Sequence, residues 1–228
     1  MATQQRSVSP EKFRTGMTFD EYVKYIGTPE NLKREGSGGV ARKDFSEFMR
    51  QSYQTNRLNE NQAAALKWIA SQPNPPVKVL VVSEEWSSDC RRDVPMFAQV
   101  AEALGAELRI FPRDGAKMDQ PDGEDIMAGF MNEKNEQSYR SIPVAVFYDQ
   151  DMNELYRFVE YADIYHKDKV AGKIRNPQPQ PGETKEQTAE RGGRNFLELQ
   201  ASPIFKVWAC AGADQIISAL HERIVLSS

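Results

Sequence analysis

In the stretch SEEWSSDCRRDVPMF, residues 83–97, two hydroxyls, a carboxyl and a thiol occupy consecutive positions: Ser87, Ser88, Asp89 and Cys90. An apolar run precedes them and a helical pattern follows, which puts Cys90 in the first turn of a helix. A thiol there feels the positive end of the helix dipole and free backbone N–H groups, and both lower its pKa. Arg91 and Arg92 add positive charge, while Asp89 opposes it. That is the chemistry of a single reactive thiol with Arg91 and Arg92 as thiolate support; its bland alternative is a covered, inert thiol. Ser87 stands differently. A hydroxyl needs an adjacent base to attack near pH 7, and neither histidine, His166 or His221, is close in sequence. Its oxygen can instead accept the backbone N–H of Cys90 as an N-cap, worth about 1 kcal/mol. Cys210, in VWACAGAD, is expected to be a small core cysteine. If the last helix crosses the loop, it becomes a resolving thiol for a Cys90 sulfenic acid.

The elements that must position this loop are legible on both sides of it. VKVLVV, residues 77–82, is a β-branched run of the kind found in a doubly covered central strand. Val94, Phe97, Ala98, Ala101 and Leu104 recur at helical spacing until Gly105. AELRIF, residues 106–111, is a second strand, so the unit reads as βαβ with parallel strands. Residues 114–139 hold a polar turn and an amphipathic segment, and IPVAVFYD (142–149) and ELYRFVEY (154–161) follow as a hairpin. Upstream, Ser9-Pro10, Thr18 with Glu21, and Asn59 with Gln62 mark helix starts. Phe13, Phe19, Tyr22 and Tyr25 are expected to pack these helices onto the sheet. REGSGGVARKD, residues 34–44, reads as a flexible joint, since no strand precedes its glycines as a phosphate loop requires. Residues 163–194, rich in proline, glutamine and charge, read as an insertion or flexible loop, and RGGR within them as a turn. A final helix carries Ile216, Ile217, Leu220, Ile224 and Val225 on one stripe.

These features together resemble the thioredoxin-like family. Trp86 precedes a four-residue loop at a helix N-terminus, Pro95 lies five positions after Cys90, and Pro143 opens the third strand where that fold places a cis-proline. More narrowly, the chain is similar to bacterial thioredoxin-fold proteins with a helical N-terminal extension, a W-C-x-D loop, an LR…RD strand and an RSIP proline. Here these are Trp86-Ser87-Ser88-Asp89, Leu108-Arg109 with Arg113-Asp114, and Arg140-Ser141-Ile142-Pro143. The resemblance implies a three-layer α/β/α fold around a central mixed sheet. Residues 1–73 are then a helical extension packed on the core, and 77–228 the thioredoxin-like domain. It implies thiol-disulfide redox chemistry with Cys90 and Ser87 as the catalytic positions and Trp86, Ser88, Asp89, Ile142 and Pro143 as the substrate groove. The substrate is then a protein or low-molecular-weight thiol or disulfide.

Two departures qualify the resemblance. Ser87 stands where the family has its attacking cysteine, and Val81 where thioredoxins bury a proton-shuttling carboxylate. Three functions follow. One is an oxidoreductase working through Cys90 alone, of which a peroxidase-like variant is the weaker form because the upstream proline of peroxiredoxin loops is missing. Another is a redox-inactive binding or holdase module. The third is a dithiol oxidoreductase disabled by a serine introduced experimentally at position 87.

Composition narrows the classes further. The 228 residues, 39% hydrophobic and 27% charged, suit one medium-sized core with appendages. No apolar run approaches the ~20 residues of a membrane span, and MATQQRSVSPEKF lacks a secretory h-region, so a cytoplasmic protein without a membrane partner is expected. Two cysteines and two histidines give no disulfide framework and no zinc spacing; neither metal nor other cofactor is expected. A net charge of −4 with interspersed signs argues against nucleic acid.

Overall fold

The computed structural model describes residues 8–227, with the side chain of Asp168 excepted. Side-chain caps start the N-terminal helices. In α1 (Pro10–Arg14) the Ser9 hydroxyl accepts the N–H of Lys12. α2 (Phe19–Ile26) opens on a capping box in which Thr18 takes the N–H of Glu21 and Glu21 returns to the N–H of Thr18. α3 (Pro29–Leu32) starts on Thr28 and α4 (Ser46–Thr55) follows the joint. α5 (Glu60–Ala70) repeats the capping box with Asn59 and Gln62.

The sheet follows. β1 (Lys78–Ser83) is buried from Val79 onward because it is central. α6 (Ser88–Leu104) leaves it and stops at Gly105, whose φ of 66° is the left-handed conformation that glycine adopts without a Cβ clash. β2 (Glu107–Pro112) returns parallel to β1, with Val81 opposite Ile110. A small antiparallel hairpin comes next, β3 (Asn132–Lys134) and β4 (Gln137–Tyr139). β5 (Val144–Tyr148) and β6 (Glu154–Val159) complete a four-stranded mixed sheet in the order β2-β1-β5-β6, with β5 antiparallel to both neighbours. This is the mixed α/β arrangement the resemblance implies. The N-terminal extension closes one edge of it: the N–H and C=O of Met17 both pair with Ile110 of β2, at 2.9 and 2.7 Å. An edge strand is thereby given a partner from its own chain. Phe97 of α6 meets Phe158 of β6 edge-on at 5.2 Å, both fully buried, each contributing about 1.5–3 kcal/mol by leaving water.

Three segments differ from the sequence reading. The 114–139 region ends in the β3–β4 hairpin, whose strands are too short and too polar to show a period. Residues 34–44 are no loose joint. Gly38 and Gly39 turn the chain at φ 67° and 74°, Glu35 bridges Ala41, and Arg34 and Arg42 are buried. Residues 163–194 are largely helical: α7 (Lys167–Val170), a π-helical turn (Ala171–Arg175) and the first half of α8 (Lys185–Ala201). The proline-rich stretch between them and residues 163–166 stay irregular. Tyr165, Val170 and Phe196 form a second small core against Leu199 and Trp208, Trp208 belonging to α9 (Pro203–His221). The RGGR sequence lies inside α8, not in a turn, and a Cβ on Gly192 would sit 2.1 Å from the carbonyl oxygen of Arg175. The glycine serves close packing.

Candidate functional site at the start of α6

β1 delivers Glu84, Glu85 and Trp86 to the N-terminus of α6, where Ser87 caps the helix. The Ser87 backbone is extended, and its Oγ accepts the N–H of Cys90 at 3.5 Å. The cap draws the chain over the thiol, and Cys90 is fully buried. Burial pushes its pKa up to about 12, with the Asp89 charge adding to the rise; hydrogen bonds from Ser83, the Glu84 backbone and Ser87 pull the other way and lose. The buried Tyr22 hydroxyl of α2 shares a 2.9 Å hydrogen bond with Ser83 Oγ, which in turn hydrogen-bonds the Cys90 thiol.

The arginines read as thiolate support make other contacts, although Arg91 also lies within charge range of Cys90. Arg91 donates through Nη1 to the carbonyls of Glu85 and Trp86, at 2.8 and 2.9 Å, and lies over Phe45 with 4.0 Å from guanidinium to ring centre. Arg92 grips Asp93 at 2.8 and 2.6 Å and Asp89 at 3.0 Å. Asp89, read as a substrate contact, is 2% exposed and also meets Lys167 Nζ at 2.8 Å. It ties α7 to α6. Cys210 does not come to the loop either. Its sulfur lies 3.4 Å from the carbonyl of Arg57, and the neighbouring Leu58 is fixed by Gln99, nine residues along α6 from Cys90 and so about 13 Å further down its axis.

A buried ionic cluster beneath the loop escaped the sequence reading. Arg42 Nη1 meets Glu84 at 2.5 Å and Glu85 at 2.9 Å; Arg34 Nη2 meets Glu84 at 2.9 Å and also donates to the Asp114 carbonyl. Glu84 in turn accepts the N–H of Asp114 at 2.7 Å. Burial raises the Glu84 pKa while Arg34 and Arg42 hold it down. The available signal was the pair of glutamates ending an apolar strand, which require buried cations from somewhere.

Trp86, Ser87 and Ile142 come together as the wall of one cleft of about 310 Å³, with Arg113, Arg140, Glu160 and Lys167 around it. Ser88 lies half-buried on the helix start and Pro143 is buried behind Ile142; the Ile142–Pro143 peptide is cis. Trp86 Nε1 donates to Asp114 at 3.3 Å, which fixes the indole at the rim. Chemically the cleft offers an aromatic face, a serine hydroxyl and paired charges. Burial holds the Cys90 thiol protonated near neutral pH.

The comparisons agree with this architecture. The sequence model of the Thioredoxin family matches residues 40–171, more than half of the chain. No curated protein matches. Among solved structures, a protein of unknown function from Pseudomonas aeruginosa is similar at 18% identity and a TM-score of 0.49, over 94% of this chain and 98% of that one. An HIV epitope scaffold carrying the 4E10 name is similar at 16% identity and a TM-score of 0.50, again over 94% of this chain and 98% of that one; it speaks to the fold alone. Sheet order, loop position and family match define a thioredoxin-fold protein. This chain belongs to the Thioredoxin family.

Proposed function

We propose that this chain is a redox-silent member of its family, a binding module whose cleft holds an extended segment of a partner protein. The observation that carries this reading is the position of the loop's thiol: Cys90 is fully buried, while the residue bordering the cleft is a serine. Ser87 is engaged as a helix cap, and among the described residues no histidine hydrogen-bonds it as a base would. What remains in the cleft suits holding rather than reacting. Trp86 offers a half-exposed aromatic face beside Ile142, the kind of anchor that dominates binding energy at interfaces.

The test has two arms. Insulin reduction by the wild-type protein is expected to stay at background in the presence of dithiothreitol, and an activity above background overturns the reading. Reduced, carboxymethylated α-lactalbumin serves as a permanently unfolded probe. Wild type is expected to bind it by fluorescence anisotropy and Trp86→Ala to lose about tenfold or more in affinity, the range of an interface anchor. Equal binding by the two proteins removes the cleft from the account.

A further inference from the structure

Arg113 and Arg140, which the sequence offers only as parts of two short motifs, do more in the cleft than packing requires. Arg113 is buried and lies over Trp86, 5.1 Å from guanidinium to ring centre. Its Nε and Nη2 hold Asp114 at 2.7 and 3.1 Å, and its Nη1 donates to the Arg140 carbonyl at 2.8 Å. Arg140 is clamped by Asp125 through Nη1 and Nη2, at 2.6 and 3.0 Å. One nitrogen of each guanidinium forms an ion pair with the same atom, Asp119 Oδ1: Arg113 Nη2 at 3.0 Å and Arg140 Nε at 3.6 Å. The second distance is beyond hydrogen-bond reach, and Arg140 Nε is a buried donor with no acceptor. Asp119 is itself 46% exposed and sits at φ 59°, left-handed backbone that an aspartate tolerates without favouring. The structure thus has two convergent guanidinium nitrogens and an occupant that pairs with both by charge and hydrogen-bonds neither.

We propose that Arg113 Nη2 and Arg140 Nε form a carboxylate-binding subsite of the cleft, which reads an acidic group on the bound partner segment and which Asp119 fills imperfectly when the cleft is empty. The inference rests on the reading of the cleft as a peptide-binding groove. A carboxylate entering from the cleft can meet both donors at charge-assisted distances of about 2.8 Å, while Asp119, already near the surface, turns into solvent. A singly charged oxyanion fits better than a phosphate. Asp114 and Asp125 already pair with the two arginines, and Glu160 with Lys167, the other cation on the cleft, so little positive charge is left to hold a second negative one. The carboxylate can come from an aspartate or glutamate side chain or from a chain terminus.

Panning two random nonapeptide libraries against the full-length protein separates these sources and tests the idea. One library is fused at both ends and the other has a free C-terminus. On wild type, one position enriched in Asp or Glu in the doubly fused library assigns the subsite to a side chain. Enrichment confined to the free-ended library assigns it to a terminal carboxylate. The best peptide is then measured on variants. Arg140→Gln is expected to weaken it about tenfold or more, the scale of one charge-assisted hydrogen bond. Asp119→Asn, which keeps a side chain that accepts left-handed backbone, is expected to tighten it several-fold by removing the internal competitor. Selected peptides with no acidic preference and unchanged affinity for Arg140→Gln overturn the subsite and leave the binding reading standing. Failure to select any peptide overturns both.

Discussion

At the scale of the residue, the site turns on how a helix cap treats a thiol. Position 90 has the dipole and the free N–H groups that lower a thiol pKa, and the sequence shows both. It does not show that the folded chain buries Cys90 completely, and desolvation outweighs the dipole. The sign of the Cys90 shift was therefore not legible from local sequence, whereas the Ser87 cap was. One consequence is measurable in a Cys210→Ser background, where Cys90 is the only thiol. Iodoacetamide labelling followed by mass spectrometry is expected to leave Cys90 unmodified in the folded protein from pH 7 to 9 and to modify it fully in 6 M guanidinium chloride. Labelling of folded protein with a midpoint near the ordinary thiol value of about 8.5 contradicts the burial described here.

At the scale of the element, composition misled where tertiary contact decides. RGGR and its proline-rich neighbourhood look like loop because two adjacent glycines disfavour a helix by about 1 kcal/mol each relative to alanine. The helix forms nonetheless, since Thr184 and Gln187 cap it and Phe196 buries on its inner face. The two glycines have different reasons to be there. A Cβ at Gly192 meets the backbone of Arg175, while one at Gly193 meets nothing within 4 Å. Gly192→Ala is accordingly expected to loosen α8 from the turn before it, read as faster limited proteolysis between residues 175 and 201. Gly193→Ala is expected to leave proteolysis unchanged or slower, with thermal stability equal or higher through helix propensity. If the two variants behave alike, close packing is not what keeps position 192 a glycine. The strands and the N-terminal helices were legible for the opposite reason: periodic apolar residues and capping boxes are local signals, and here the tertiary structure agrees with them.

At the scale of the whole molecule, three parts are tied to one place by buried charge. The N-terminal extension reaches Glu84 and Glu85 through Arg34 and Arg42, and the insertion reaches Asp89 through Lys167 beside Arg92 and Asp93. None of this is visible in a sequence whose charges appear interspersed, because the partners lie 42 or more residues apart in one case and across the whole sheet domain in the other. Asp93 gives the arrangement a pH signature. Burial pushes its carboxyl up from 3.8 to about 6, against the pull of Arg92, with the Asp89 charge adding to the rise and Lys167 opposing it. The folded state therefore holds the Asp93 proton more tightly than the unfolded chain. Between about pH 6 and pH 4 the native protein binds more protons at this site, so its contribution to stability grows as pH falls through that window and is lost as pH rises through 6. Other carboxyls, such as Asp125 and Asp149, are shifted downward and titrate with the opposite sign, so the test is a difference. Urea unfolding of wild type and Asp93→Asn at pH 4, 5, 6 and 7 is expected to show wild type gaining on the variant toward acid, by about 1.4 kcal/mol for each unit separating the two pKa values. A difference that stays flat, or that shrinks toward acid, means the pairing with Arg92 outweighs burial and that Asp93 is held ionised like an ordinary ion-pair partner.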